Sequence, residues 1–486
     1  MARCPTACCG ILCKVGQESL TPANFVQKLN LSFRYYIDRL GAHLYIYSLV
    51  NKITFIPVVV LCLLCLLFAA ADGQQSDVRG VITTGPTISL ISIAVDYFTL
   101  NDSLYNFEDT LFADSLNKIL IEDLIFTLYF NVVKPDSVFL ADFASGEMSL
   151  DDWIYIGAQM LVKGRLNKNE GLYTLSIEVV DIFRNKLIYN NQFLGSASEY
   201  RSMAHRAAAD LLLNLTGERG VFDSKIIYSA QLELNKDIFI CNFDGTNPVR
   251  LTSHSAIDQM PAWSNIGDRV YFTSDRSGNH DLYCYIFEKD EIYSVSSRKG
   301  LNYAAAPSPD GKYVAVALSI SGNTEIYLID PSGRIMRRLT YSWGIDTSPT
   351  WSPNSREVAF ISDRSGNPQL YVTDIDGINT RRLTYFGDYI ADPAWSPRGD
   401  FIAYCSRETG QFHIYTVDIT GQNAYKLTDV GSNEIPSWSP DGLHIVYSSN
   451  ADGSYGLWSM NFDGSGKRKL NLKGICKSPD WSVNLR

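Results

Sequence analysis

The sequence predicts a small α/β domain followed by an all-β six-bladed propeller, in which a C-terminal strand closes the first blade. Three observations lead to this fold class. Trp-Ser pairs recur about every 44 residues in the second half of the chain, a period typical of propeller blades. Short apolar strands and polar turns alternate between the pairs. The first and last repeat units each lack the strand that the other supplies, and closing the ring would leave no exposed sheet edge.

Residues 50–71 are predicted to be a signal peptide, and residues 1–49 an extension that is not part of the native protein. The stretch Ile53–Ala71 is apolar apart from Thr54, follows Lys52 and ends in small residues, as cleaved export signals do. Because such a signal normally opens a chain, we hypothesise that translation starts at Val50. A membrane anchor is the alternative, since an apolar stretch of this length nearly spans a bilayer.

Residues 72–221 form the predicted α/β domain, because they do not repeat and they mix helical with alternating patterns. Strands are predicted at Ile91–Val95, Tyr173–Phe183 and Lys186–Phe193. The apolar residues of Leu111–Leu124 recur at helical spacing. Ser196–Glu199 has the composition of a capping box, so a second helix is expected from there to about Leu215, ending at Gly217.

Residues 222–486 contain the repeat that predicts the propeller. In each unit a Trp-Ser strand, an apolar strand, a second strand and an RLT-like strand follow one another through polar turns. The Trp position is occupied in chain order by Trp263, Pro307, Trp351, Trp395, Trp438 and Trp481. The first unit begins with Ile226–Ala230 and has no Trp-Ser strand before it, so the strand of Trp481 is expected to complete that blade. The unit at Phe287–Gly300 lacks Asp-Gly and Leu-Thr, which predicts an irregular blade edge.

The hexapeptide SDRSGN occurs twice, at Ser274–Asn279 and at Ser362–Asn367. Asp, Ser, Gly and Asn are turn residues, so the motif is predicted to join two strands of a blade. Its arginines, Arg276 and Arg364, are expected to be solvated. A calcium site at the aspartate of either copy is the alternative, although no dense acidic loop accompanies them.

Acidic residues precede four of the Trp positions, in loops that are expected on the opposite rim from SDRSGN. They are Asp258, Asp346, Asp392 and Glu434. Since matching positions of a propeller surround its axial channel, the sequence predicts an acidic ring at one mouth of the channel. Such a ring would dock a basic or polar partner or hold a cation, whereas solvated loops and strand caps are the structural alternative.

Composition and motifs argue against several classes of function. The net charge is −10, the pI is about 5.2 and no basic stripe is present, so nucleic-acid binding is not expected. The sequence has no GxSxG, and GSGK at Gly464–Lys467 lacks the upstream glycine of a phosphate loop. The four late cysteines are scattered without zinc-site spacing, and whether they form disulfides stays open. We therefore expect neither enzymatic activity nor a cofactor.

The repeats and the junction between the two domains resemble the TolB family, periplasmic components of the Tol–Pal envelope system. The most specific likeness is AHRAAADLLLNLTGERGVFDSKIIYSA at Ala204–Ala230. DVRGVITTG at Asp77–Gly85 resembles the family's mature N-terminus, and the whole likeness covers about residues 77–486. It implies a non-enzymatic periplasmic adaptor. The repeats lack the GH and WD dipeptides of WD40 propellers.

The resemblance implies two protein partners, and a role in outer-membrane integrity and in envelope constriction at cell division. The peptidoglycan-associated lipoprotein Pal would bind the propeller mouth, where Asn302, Thr347 and Ser348 join the four acids. TolA would bind the mature N-terminal segment, which could add as a strand to a partner sheet. That segment contains Asp77, Val78, Arg79, Val81 and Ile82. The family commonly has an acidic residue at the position of Ser348, so altered contacts with Pal are expected.

The chain is expected to be a monomer that reaches the outer membrane only through its partners. Two other functions stay open. An envelope hydrolase or lyase would use Asp346, Asp392 and Glu434 on a glycan or peptide in the channel. A structural propeller that depends on a bound cation is the third possibility. Turnover of muropeptides would favour the hydrolase, whereas recovery of a Pal-like lipoprotein would favour the adaptor.

Overall fold

The structure is a computed structural model that describes residues 90–100, 107–134, 148–232 and 235–485. The predicted extension, the signal peptide and the segment Asp77–Ile82 lie outside these residues. The described residues belong to one compact unit of the chain. Within them, no helix is long and apolar enough to cross a bilayer. The domain limits given above stay predictions.

A mixed sheet packed against helices forms the N-terminal region. Its strands are β1 Ile91–Val95, β2 Thr99–Leu100, β3 Phe130–Val133, β4 Met160–Asn169, β5 Leu172–Asp181 and β6 Lys186–Ser196. Its helices are α1 Phe107–Phe126, α2 Leu150–Tyr155 and α3 Tyr200–Thr216. The strand order is β3-β1-β4-β5-β6, with β1 parallel to both its neighbours and the last three strands antiparallel. Helices α1 and α3 contribute to one core with the sheet, whereas Trp153 of α2 belongs to a second, smaller cluster.

The two predicted helices of this region are confirmed. Glu199 accepts from the backbone N–H of Ser196 at 2.8 Å, and α3 ends where Gly217 adopts a left-handed φ of 80°. The sequence analysis missed β2, β3, β4 and α2. In β4 the buried position between Lys163 and Arg165 is occupied by Gly164, so the apolar face is interrupted, and the pairing with β5 defines the strand.

Six four-stranded sheets form the propeller, as predicted. Blade 1 contains β7 Lys225–Gln231, β8 Lys236–Asn242, β9 Val249–Arg250 and the final strand β30 Ile475–Trp481. Blade 2 contains β10 Asp258–Trp263, β11 Arg269–Ser274, β12 Asp281–Ile286 and β13 Glu291–Ser296. Blade 3 contains β14 Asn302–Pro307, β15 Val314–Leu318, β16 Glu325–Ile329 and β17 Ile335–Arg338.

The last three blades repeat this order from the innermost to the outermost strand. Blade 4 contains β18 Asp346–Trp351, β19 Glu357–Ser362, β20 Gln369–Asp374 and β21 Arg381–Arg382. Blade 5 contains β22 Ile390–Trp395, β23 Phe401–Glu408, β24 Gln411–Asp418 and β25 Ala424–Lys426. Blade 6 contains β26 Asn433–Trp438, β27 His444–Ser449, β28 Gly456–Asn461 and β29 Arg468–Lys469. Four late cysteines lie in these sheets, buried and unpaired: Cys241, Cys284, Cys405 and Cys476.

The ring closes as the incomplete end units predict. Strand β30 runs antiparallel to β7, with Trp481 opposite Ile226 and Cys476 opposite Ala230. The indole Nε1 of Trp481 also donates to Ser224 Oγ at 2.8 Å. The terminal strand therefore supplies the innermost strand of blade 1, and the sheet edges at the two ends of the repeat satisfy each other.

The RLT-like stretches are not strands over their whole length, and that prediction is wrong in part. The outermost strands end at Arg338, Arg382 and Lys426, before each Leu-Thr. The threonine hydroxyls of blades 1, 3, 4 and 5 instead accept from backbone N–H groups near the start of the third strands, as Thr340 does from Ile326, at 2.8–3.0 Å. The degenerate unit in blade 2 has a register shift, as predicted, yet its outermost strand β13 is the longest of the six.

The N-terminal region covers one face of the propeller at blades 1 and 6. We call this the turn face, because the turns after the innermost and third strands lie there, and we call the opposite one the mouth face. Phe126 of α1 stacks on His444 with ring centroids 3.9 Å apart and lies 5.8 Å from Phe243. His205 of α3 bonds Asp123 at 2.7 Å and contacts Asp244 of blade 1 at 3.4 Å.

The charges of this joint compensate one another. Burial lowers the pKa of His205, but the hydrogen bond to Asp123 and the nearby carboxylate of Asp244 outweigh it and raise the pKa to about 9. Arg201 Nη1 donates to Asp244 at 3.1 Å, and the guanidinium of Arg468 lies 4.1 Å from the centroid of the Phe126 ring. The joint is thus a packed interface, which agrees with the short connection between the two regions.

Candidate partner-binding mouth

Each blade contributes two kinds of loop to the mouth face. Crown loops lead from the outermost strand of one blade to the innermost strand of the next, and the other loops, which include both SDRSGN copies, join the second and third strands. The backbone N–H of Asp275 donates to Ile257 O at 3.4 Å, and that of Ile345 donates to Asp363 Oδ1 at 2.6 Å. The expectation that SDRSGN lies on the opposite rim from the acidic loops is therefore wrong, because antiparallel strands return the chain to the same face after every second turn.

Both SDRSGN arginines neutralise a predicted mouth acid. Arg276 Nη2 donates to buried Asp258 at 2.9 Å, and Arg364 Nη2 donates to buried Asp346 at 2.7 Å. Each guanidinium also lies 4.7–5.3 Å from the centroids of two aromatic rings of its blade. The arginine side chains are only 16% and 22% exposed, so the expectation that they are solvated is wrong. A carboxylate buried without a counterion is costly, and the motif recurs where an innermost strand begins with aspartate.

The residue five positions before the Trp position is buried in every blade. Five residues before the Trp position stand Asp258, Asn302, Asp346, Ile390, Asn433 and Cys476, each at most 1% exposed. Asn302 donates to Arg298 O at 2.7 Å and accepts from Ser296 Oγ at 2.6 Å, so its side chain holds the crown loop. The predicted acidic ring is consequently wrong, because two of its four members are neutralised inside blades and the other two occupy different strand positions.

A ring of mixed chemistry replaces the acidic ring at the channel mouth. Four residues before the Trp position stand Gln259, Tyr303, Thr347, Ala391, Glu434 and Lys477, all half-buried. Glu434 accepts from Lys477 Nζ at 3.0 Å and also from the hydroxyl of Tyr455. Its charge is therefore compensated inside the ring. Thr347 is half-buried in the same ring, two blades away from Glu434.

Each innermost strand contains a β-bulge one residue further along. Three residues before the Trp position stand Met260, Ala304, Ser348, Asp392, Ile435 and Ser478, with φ between 47° and 54°. The pairing register shifts at this point in all six blades. Non-glycine residues seldom adopt this conformation, and bulges bend a strand locally. The bulged strands line an axial cavity of about 260 Å³, to which Ser348 and Asp392 contribute.

Two carboxyl groups of this cavity have raised pKa values. Burial raises the pKa of Asp392 to about 6, with Glu434 adding to the shift and Lys477 opposing it. Burial also raises the pKa of Asp480 to about 6. Asp480 accepts from Trp263 N and from Ser437 Oγ at 2.8 Å each, so it ties blade 1 to both neighbouring blades.

The sequence analysis did not single out Asp480. The sequence feature that could have identified it is its place directly before the last Trp position, where the other blades have Ala, Thr or Ser. A side chain at this position can accept from the backbone N–H of the next blade. Thr350 Oγ1 accepts from Trp395 N at 3.2 Å, in the same way as Asp480 accepts from Trp263 N. This carboxyl group therefore belongs to the closure of the ring.

Two of the three acids of the hydrolase hypothesis are held in ion pairs. Asp346 is paired with Arg364 inside blade 4, Glu434 is paired with Lys477, and only Asp392 lines the cavity. For the cation hypothesis, no group of three or more His, Cys, Asp or Glu side chains within the described ranges is arranged to hold a metal ion. The same finding gives no support to a calcium site at SDRSGN within the described residues. Asp363 accepts from the backbone N–H of Ile345.

The fold and the mouth define a two-domain β-propeller protein in which one face is covered by the α/β region and the other presents loops around an axial channel. Comparison with known families gives matches to both parts. Residues 81–188 match the model of the TolB amino-terminal domain, and residues 213–485 match that of the TolB beta propeller domain. The chain belongs to the TolB family.

Individual relatives agree with this assignment. The Tol-Pal system protein TolB of Desulfosudis oleivorans is 35% identical over 234 residues, which are 46% of this chain and 51% of that protein. A TolB homolog of Chlorobium luteolum is 37% identical over 34% of this chain and 39% of its own length. The chain thus matches about half the length or less of these curated relatives. The crystal structure of TolB from Acinetobacter baumannii superposes with a TM-score of 0.69 at 25% identity, covering 81% of this chain and 97% of that one.

Proposed function

We propose that this protein is a periplasmic adaptor of the Tol–Pal system, which binds the peptidoglycan-associated lipoprotein Pal at the mouth face. The observation that carries the proposal is the asymmetry of the propeller. The α/β region packs on the turn face at blades 1 and 6, and the crown loops project from the other face. Membership of the TolB family supports the identity of the system.

Within the mouth, the accessible positions are the ones we assign to Pal. Ser348 and Asp392 line the axial cavity, and Thr347 and Glu434 are half-buried at the preceding strand position. Asp258, Asn302 and Asp346 act from beneath, since they fix the loops that a partner would meet. This division revises how the residues carry out the proposed role: four would touch the partner, and three would shape the surface.

We further propose that TolA binds the N-terminal segment with Asp77, Val78, Arg79, Val81 and Ile82. The support is the likeness of Asp77–Gly85 to the mature N-terminus of the family, next to the amino-terminal domain match that begins at residue 81. A short extended segment can add as an edge strand to a partner sheet. One chain that binds both partners would connect the two membranes, and outer-membrane integrity and constriction at division would depend on it. The role is one of binding, without catalysis.

The test of Pal binding is a titration of the purified protein with the soluble domain of the organism's Pal. Thr347→Arg places a long charged side chain in the mouth ring and should weaken binding at least about 10-fold. Ser332→Arg, on an exposed turn of the other face, is the matched control and should bind like the wild type. Equal binding by both variants would contradict the proposal. Asp346→Lys is a poor probe, because it would break the buried pair with Arg364.

Removal of residues 72–82 tests the second partner. Binding of the C-terminal domain of TolA should disappear, whereas Pal binding and the unfolding transition stay as in the full chain. Unchanged TolA binding would refute the assignment to the N-terminal segment.

A further inference from the structure

Four large aromatic side chains project from two neighbouring crown loops and bury little of their surface. Tyr341 and Trp343, between blades 3 and 4, are 73% and 78% exposed, and Tyr385 and Phe386, between blades 4 and 5, are 66% and 67% exposed. We call these four residues the aromatic ridge. The other four crown loops contain no Phe, Tyr or Trp. Exposed apolar clusters of this kind mark interaction sites in soluble proteins.

The loops beneath the ridge are held in place by polar contacts. Asn323 Nδ2 donates to Ser342 O and Gly344 O at 3.1 and 2.6 Å, and the N–H of Ile345 donates to Asp363 at 2.6 Å. In the next crown loop Gln369 Nε2 donates to Gly387 O at 3.0 Å. Both loops therefore present their aromatic side chains from a fixed backbone, which lowers the entropy that binding would cost.

Cationic side chains accompany the rings. The guanidinium of Arg338 lies 4.4 Å from the centroid of Tyr341, that of Arg382 lies 4.8 Å from Tyr385, and that of Arg407 lies 4.9 Å from Tyr389. Arg338 is paired with Glu325 at 2.9 Å. Arg382 and Arg407 have no ion pair with any carboxylate in the described part of the chain.

The two unpaired arginines give the ridge a charge preference. The single acid of the second crown loop, Asp388, is exposed and balances at most one of them. A complementary ligand is therefore apolar where it meets the rings and anionic where it meets the guanidinium groups. A polypeptide that carries aliphatic or aromatic residues beside carboxylates has this chemistry.

We propose that the aromatic ridge docks an acidic, apolar segment of the protein partner that occupies the mouth. The inference rests on the proposed function, since the ridge borders the mouth at blades 4 and 5 and the same partner would reach both. The mouth would provide the central contact. The ridge would add a lateral one, fixing how the partner is turned about the channel axis.

The test is isothermal titration with the soluble domain of the organism's Pal. Trp343→Ser combined with Phe386→Ser should weaken binding about 10- to 100-fold, because aromatic side chains contribute strongly to the binding energy of protein interfaces. Ile378→Ser is the matched control, because Ile378 is 78% exposed on a turn of the opposite face.

Arg382→Glu combined with Arg407→Glu should also weaken binding and reduce its dependence on salt. Thermal unfolding of each variant confirms that the surface changes leave the fold intact.

The outcomes separate the two proposals. If Thr347→Arg abolishes binding while both ridge variants bind like the wild type, the mouth function stands and the ridge inference falls. If none of these variants changes binding, the proposed function fails and the ridge inference fails with it. Ridge variants that lose binding to peptidoglycan glycan strands, but not to the protein partner, would also overturn the inference. If the partner protects Trp343 from acrylamide quenching, tryptophan fluorescence should be quenched less in the complex, and this difference should be absent in Trp343→Phe. That result would support the inference.

Discussion

The two faces of the propeller use aromatic and charged residues in opposite ways. On the turn face, Phe126, Phe243 and His444 are packed together, and the ionisable groups of the joint pair with one another. On the mouth face, Trp343 and Phe386 are exposed, although hydrogen bonds also hold the loops that carry them. Both faces are built from the same repeated blade. The comparison teaches that the blade supplies the scaffold and that individual turns decide which face is sealed and which is available.

The largest expected effect comes from one matched pair of phenylalanines. Phe243→Ala should lower the free energy of unfolding by about 3–5 kcal/mol, because it opens a cavity in the joint where Phe243 is 2% exposed. Phe386→Ala on the mouth face should change it by less than about 0.5 kcal/mol. Denaturant unfolding followed by circular dichroism measures both. Similar losses for the two variants would show that the mouth face is packed as tightly as the joint.

A smaller loss is expected from the ion pair beneath the mouth. Arg364→Leu leaves Asp346 buried without its counterion and should cost about 3 kcal/mol in unfolding free energy. Adding Asp346→Asn should restore most of that loss, since the uncompensated charge disappears. A double variant as unstable as the single one would show that the packing of the guanidinium on its two rings, and not the charge, is what stabilises blade 4.

The smallest effect is a pH dependence located in the joint. The pKa of His205 is raised from 6.5 to about 9 in the folded protein, so the stability it contributes is complete below pH 6.5 and is lost as the pH rises through 9. The free energy of unfolding should fall by about 2–3 kcal/mol across this window. His205→Gln, which does not titrate, should show a flatter profile.

The other ionisable groups of the joint are shifted as well, so the His205→Gln variant is needed to isolate the contribution of His205. Burial raises the pKa of Asp123 and lowers the pKa of Arg468, whereas for Asp244 the contacts with His205 and Thr246 outweigh burial and lower the pKa. A wild-type profile that is level between pH 6.5 and 9 would mean that His205 is neutral in the folded joint and that its two carboxylate partners do not hold its proton.

The sequence predicted the architecture well because the relevant signals are local or follow from the incomplete units at the two ends of the repeat. The repeat period sets the blade count, and the absence of a Trp-Ser strand before Ile226 predicts the partner of Trp481. Turn chemistry likewise predicted the end of α3 at Gly217. Strand β4 was missed because Gly164 interrupts its apolar face, and the pairing with β5 shows it to be a strand.

The mouth was predicted less well, since its chemistry depends on contacts between distant side chains. Asp346 looks like a surface acid next to a turn, yet Arg364 reaches it across 18 residues and neutralises it. Asp392 and Glu434 look equivalent, yet a one-residue difference in strand position puts one in the cavity and the other in a salt bridge with Lys477. The sequence analysis did not identify the aromatic ridge, because its residues follow no pattern in the sequence. They lie near one another only because adjacent blades carry them on neighbouring crown loops.

By itself, the sequence determined the number of blades and the closure of the ring, because strand edges must be paired and the repeat leaves a single way to pair its two ends. Only the tertiary structure decided which charged groups face a partner and which are neutralised inside a blade. That outcome depends on burial and on the distance between groups from different loops, and neither quantity can be obtained from the spacing of residues along the chain.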